Sequence, residues 1–142
     1  MFFRSKPKRV DAASAEGAPA TGRQATGASG EARALAYLLQ QGLQLVERNY
    51  RVARGPSRRA GEVDLILRDR DGTLVFVEVR ARRNREAGGG AAASVSAAKQ
   101  ARLVYAAQHY LARLPRLPPC RFDVVAIDGD ELVWLRAAFD AA

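Results

Sequence analysis

Apolar positions along the chain change period several times, and each change marks an element. From Gly27 to Gln41 the spacing is helical, with Leu35, Leu38 and Leu39 as the stripe; Thr26 or Ser29 can cap its start and Gly42 its end. Residues 43–51 fit a first strand. Residues 61–68 and 73–82 form two further runs joined by the tight turn of Asp71-Gly72, a hairpin signature. A second helix is predicted over about 96–114, capped by Ser94 or Ser96, with Leu103, Val104, Ala107, Leu111 and Leu114 inside; the prolines of PRLPP stop it. Strands over 121–127 and 131–136 close the chain. The order is α-β-β-β-α-β-β. The second and third strands are apolar on both faces, so the expected fold is α/β: a central mixed five-stranded sheet flanked by helices.

Two acids break that pattern. Asp64 lies inside the second strand and Glu78 inside the third. Strand residues alternate faces, so Glu62, Asp64 and Ile66 are expected on one face, and Leu74, Phe76, Glu78 and Arg80 on one face of the partner. If the hairpin aligns those faces, Asp64 and Glu78 are neighbours. Two close carboxylates repel, and burial raises their pKa values. A shared proton, an arginine or a divalent cation can offset the cost. The structural alternative is an ion pair with Arg80 or Arg82. An oxygen pair with open positions suits Mg²⁺. Glu31, one turn before Leu35, points a third carboxylate along the first helix's stripe. Lys99 lies one turn before Leu103, on the core-facing side, from where it can approach the acids; an exposed first-turn lysine is the competing reading. Asp123 is expected to pair with Arg121 or to lie behind the site, with a structural role favoured, and Glu62 to be solvated or to support the ligands from outside.

Charge narrows the partner class. The net charge is +8 with a pI near 10.5, and arginine supplies most of the basic residues. The arginine fork suits phosphate, so nucleic acid is the first expectation, against a host bias toward Arg codons. Arg51, Arg54, Arg58 and Arg59 precede the second strand, and Arg82, Arg83 and Arg85 follow the third, which sets them side by side as a basic rim near the acids. Residues 1–26, without periodicity, read as a disordered basic tail, leaving 27–142 as one folded domain. One cysteine and one histidine exclude an intrachain disulfide and disfavour zinc. With no apolar run near the roughly 20 residues a bilayer requires, and no secretory signal, a cytoplasmic protein without a membrane partner is expected. The glycines at 88–90 read as a mobile loop, His109 and Cys120 as packing residues, and Phe122 and Trp134 as core.

The motifs taken together, GASGEARALAYLLQQG, RNYR, GEVDLI, FVEVRAR, GGGAAASVSAAKQARL and RFDVVAI, resemble the YraN-type family of bacterial proteins, over about residues 27–136. Asp64 followed by Glu78-Val79-Arg80 resembles the PD-(D/E)-x-K nuclease signature. The resemblance implies a restriction-endonuclease-like fold related to archaeal Holliday-junction resolvases. It implies Asp64 and Glu78 as ligands of Mg²⁺ or Mn²⁺, with Glu31 and the Val79 carbonyl as further oxygen ligands, and DNA, branched or structured, as substrate. A homodimer follows by analogy with resolvases. The departure is Arg80 at the lysine position: a guanidinium stabilises phosphoryl charge but does not take a proton. Two functions follow, an endonuclease or a non-catalytic nucleic-acid-binding module. A protein-interaction factor whose basic tail meets acidic partners is the reading from another class.

Overall fold

In the computed structural model the elements follow the expected order: α1 (Gly22–Gln40), β1 (Gln44–Val52), β2 (Gly61–Arg68), β3 (Leu74–Arg82), α2 (Ala97–Leu111), β4 (Cys120–Asp128) and β5 (Glu131–Phe139). The structure describes residues 22–53, 60–82 and 95–140, without the side chains of 22–29 and 82. The strands lie in the sheet in chain order. β3 and β4 run parallel and every other pair is antiparallel. A parallel pair needs a long crossover, and α2 lies in it.

The two helices cover opposite faces. Ala34, Tyr37 and Leu38 of α1 pack on Leu65, Leu67, Val75, Val77, Val125 and Ile127. Leu103, Ala106, Ala107 and Tyr110 of α2 pack on Val63, Ile66, Leu74, Phe76 and Phe122. This arrangement explains why β2 and β3 carry apolar residues on both sides. Turn chemistry sets the boundaries: Gly42 (φ 102°) ends α1 and Gly72 (φ 92°) turns the hairpin. Ser96 caps α2, its hydroxyl accepting the Lys99 N–H at 3.1 Å.

Several expectations are corrected. α1 begins at Gly22, not Gly27, so neither Thr26 nor Ser29 is its cap. Arg23, Gln24 and Ala25 favour helix, but they carry no apolar stripe to reveal it. The buried face of α1 is Ala34, Tyr37 and Leu38, whereas Leu39 is 45% exposed. His109 and Cys120 are exposed rather than packed in the core. The 1–21 portion of the predicted tail lies outside the described residues, as does the 88–90 glycine loop.

One glycine fixes how closely α2 approaches the sheet. A Cβ at Gly61 would lie 2.8 Å from both the Ala106 nitrogen and the Arg102 carbonyl oxygen. Backbone atoms of a packed helix cannot step aside without moving the helix. Gly61→Val is expected to lower stability by about 1–3 kcal/mol, read as an earlier urea midpoint; an unchanged midpoint would show that α2 shifts freely on β2.

Candidate functional site

The acid pair sits where the β2–β3 ladder ends. Leu65 pairs with Val77, and Leu65 is the last paired residue toward the start of β2. Just beyond it the alternation of β2 breaks: Val63 and Ile66 both face α2, whereas Leu65 faces α1. The irregularity falls at Asp64, and Asn49, in the facing stretch of β1, has φ 49°. Asn is among the residues that tolerate this left-handed region. The expected shared face of Glu62, Asp64 and Ile66 is therefore not a regular strand face. With no ladder partner, the Asp64 carboxylate accepts the Val79 N–H at 2.8 Å. A side chain thus replaces a backbone acceptor, and it fixes Asp64 against the strand that carries Glu78.

Glu78 is buried, 6% exposed, on the α2 side of β3. Its carboxyl lies against that of Asp64, a contact that favours a proton on Glu78. Burial, then the Asp64 charge, pushes the Glu78 pKa up to about 7, although Lys99 opposes the shift. Asp64 is also raised, first by burial and then by Glu62, against the hydrogen bond from Val79. Lys99, at the start of α2, places Nζ 3.3 Å from Glu78 Oε2. The crossover helix thus delivers its first-turn ammonium to the end of the hairpin. Burial is the first reason both acids hold their protons too tightly; the second is that one ammonium beside two carboxylates leaves the cluster negative.

Glu31 lies on the other helix. Gly30 allows the middle of α1 to approach β3 closely: a Cβ there would be 3.0 Å from that of Ala81. Arg33 ties the same stretch of α1 to the β4–β5 turn, donating to the carbonyl oxygens of Gly129 at 2.9 Å and Asp130 at 3.3 Å. Burial raises the Glu31 pKa, and the Asp64 charge adds to it; Arg48 and Arg51 act in the opposite sense. Glu31 therefore feels Asp64. Even so, no group of three acidic, His or Cys side chains converges on one metal position among the described residues. The expected three-carboxylate cage is corrected to a pair, Asp64 and Glu78, with Glu31 at longer range. Glu31 projects from α1 on one side of the sheet, whereas Glu78 faces α2 on the other.

The donor set of the pair is still one that a hard cation would take. Two carboxylates in contact, the inner one protonated near neutrality, gain when a divalent ion replaces the shared proton. For Val79 the engaged group is its N–H, bound to Asp64. Arg80 follows Glu78 on β3 and is half-buried. Of the predicted basic rim, Arg51 is exposed on β1, opposite Glu62. The Arg82 side chain and residues Arg54, Arg58, Arg59, Arg83 and Arg85 lie outside the described residues.

Asp123 belongs to a separate cluster. It is 1% exposed. It accepts from Arg121 Nε at 3.0 Å, Trp134 Nε1 at 2.9 Å and the Ala137 N–H at 2.9 Å. Arg121 continues to Asp69 at 3.1 Å. The role is structural, as the sequence suggests, but the contacts to Trp134 and Ala137 have no sequence signature. A second feature missed from sequence is a row of aromatic and basic side chains along α2, from Lys99 to Arg113. Reading the flank of the helix, not only its buried stripe, would have found it.

Compared with known proteins, residues 30–127 match the sequence profile of a group described as "Uncharacterised protein family UPF0102". A UPF0102 protein of Methylibium petroleiphilum is 68% identical over 119 residues, covering 84% of this chain and 97% of that protein. One from Acidovorax sp. is 63% identical over 88% of this chain and 92% of that protein. One from Paracidovorax citrulli is 60% identical, covering 85% of this chain and 87% of that protein.

Proposed function

The chain belongs to the uncharacterised protein family UPF0102, and we propose that it is a metal-dependent endonuclease acting on structured or branched DNA, with a restriction-endonuclease-like fold. The observation that carries this reading is the Asp64–Glu78 contact with Lys99 beside it. A folded domain gains no stability from two acids held together against their charge. Such strain is ordinarily kept where a cation and an anionic substrate relieve it.

Asp64 and Glu78 would hold Mg²⁺ or Mn²⁺. The bound ion would supply Lewis acidity toward a phosphodiester. The chain's own groups do the rest. The Val79 N–H orients Asp64. Lys99, 39% exposed at its side chain, reaches from Glu78 toward solvent and can donate to a phosphate oxygen or a departing alkoxide. A guanidinium such as that of Arg80 can bind phosphate charge but does not serve as a proton acceptor. Glu31, reached electrostatically rather than by contact, strengthens the negative field that draws a cation.

The test is cleavage of a labelled four-way junction in Mg²⁺ or Mn²⁺. Wild type is expected to cut and Asp64→Ala to fall to background while retaining its circular dichroism. Equal rates for the two would remove this site assignment. Arginine at position 80 motivates the second reading, a nucleic-acid-binding module without turnover. That reading expects salt-dependent binding that needs no metal, and an Arg80→Lys variant that still fails to cut. Robust wild-type turnover would eliminate it.

A further inference from the structure

Beyond Lys99, the α2 flank nearest β1 carries side chains that the acid pair does not use. Lys99, Arg102, Tyr105, His109 and Arg113 follow one another at helical spacing, beside the buried stripe of Leu103, Ala106 and Tyr110. From Lys99 to the end of α2 at Leu111 the row runs about 18 Å, and Arg113 stands in the turn that follows. Its inner end touches Glu78. Its outer end meets β1: the Tyr50 hydroxyl lies 3.1 Å from His109 Nδ1, and the Arg113 guanidinium lies 5.7 Å from the Tyr50 ring centre and 4.9 Å from that of Tyr110. Tyr105 and His109 are near neighbours, with ring centres 6.4 Å apart. Arg102, His109 and Arg113 are exposed, and Tyr105 and Tyr50 are half-buried.

Core packing does not account for this row, since α2 already buries Leu103, Ala106, Ala107 and Tyr110. Solvation alone explains exposed arginines, but not rings interleaved with them in a line that starts at the acid pair. Cations spaced for a backbone, with π-faces between them, match single-stranded nucleic acid. A duplex would hide its base faces from these rings. Glu47 adds negative charge near Arg113 and ends the favourable stretch there.

We infer that this flank of α2, with Tyr50 beside it, holds a single-stranded arm of the DNA substrate as it leaves the acid pair. The inference rests on the proposed nuclease reading for the direction of the arm. Stacking on Tyr105 and His109 supplies base-dependent affinity, whereas Arg102 and Arg113 follow the phosphates. The substrate class narrows to branched DNA with an unpaired arm.

The test is fluorescence anisotropy with the full chain in chelator, so that no strand is cut. Three probes are compared: a blunt four-way junction, the same junction with a tail of about ten thymidines, and the same junction with an abasic tail of equal length. The thymidine tail is expected to bind about tenfold tighter than the abasic one. The double variant Tyr105→Ala/His109→Ala should lose that preference, and Tyr105→Phe should keep it. Equal wild-type affinity for the two tails would overturn the inference, as would a preference that survives the double variant. The cleavage assay is scored separately. A chain that prefers the thymidine tail yet never cuts retires the nuclease reading and leaves the strand track standing; a chain that cuts with no tail preference does the reverse.

Discussion

Asp123→Ala is expected to cost the folded chain about 3–5 kcal/mol, the range for breaking a buried charged pair. A typical domain has only about 5–15 kcal/mol in total, so much of the population would unfold on mild warming. The carboxylate accepts hydrogen bonds from three donors with almost no solvent access. Removing it strands the Trp134 indole N–H, the Ala137 backbone N–H and one side of the Arg121 guanidinium together. The Ala137 contact carries an added cost. That residue has φ 50°, a conformation about 1–2 kcal/mol uphill for a non-glycine residue, at the irregularity where β5 leaves register with β4. Asp123 holds it there. Asp123→Asn keeps an acceptor and removes the charge, so its loss should be smaller. Urea unfolding monitored by Trp134 fluorescence reads both values. A shift of under about 1 kcal/mol for the alanine variant would mean that the cluster contributes no more than an exposed ion pair.

Sequence and structure agree where the cause is periodic and part where it is local. Leu103 and Ala107 were legible because a helical stripe repeats, and the β2–β3 hairpin because Gly72 permits a backbone that few residues adopt. The Asp64–Glu78 neighbourhood was legible for the same reason: alternating faces and one hairpin turn bring the two residues together. The break in alternation at Asp64 was not, because it depends on a side chain substituting for a ladder bond. Nor was the separation of Glu31, since a helical stripe tells which way a carboxylate leans and not how far the helix stands from the sheet. His109 shows the opposite error. A lone histidine on a helix was read as packing, but it is exposed and bonded to Tyr50 across the α2–β1 groove. The family was legible in the motifs, because it depends on residue identity and not on geometry.

Glu78→Gln should make the protein more stable at alkaline pH and inactive at every pH, and the two effects share a cause. In the unfolded chain Glu78 titrates near its ordinary 4.5; in the native chain burial and the Asp64 charge hold it at about 7. A raised native pKa means that the folded state keeps a proton the unfolded state has released. The stabilisation is complete below the unfolded value and is lost as pH rises through the native one. From about pH 5 to about pH 8 the wild type, in chelator, should therefore lose on the order of 3 kcal/mol. Asp64, raised in the same direction, adds to that slope. Glutamine is neutral throughout, and its amide can still donate to Asp64, so the variant should show a flatter profile. Its melting point at about pH 8 should exceed that of wild type by roughly 5–10 °C. Mg²⁺ should restore the wild type at that pH by binding the pair in place of the proton, and it should do little for the variant. On the proposed nuclease reading, cleavage would need the carboxylate that the substitution removes, so the stabilised chain should not cut. This is the exchange of stability for function expected where charges are held together for catalysis. A glutamine variant no more stable than wild type at about pH 8 would show that the two acids are not strained. The physical motive for a cation at this site would go with it.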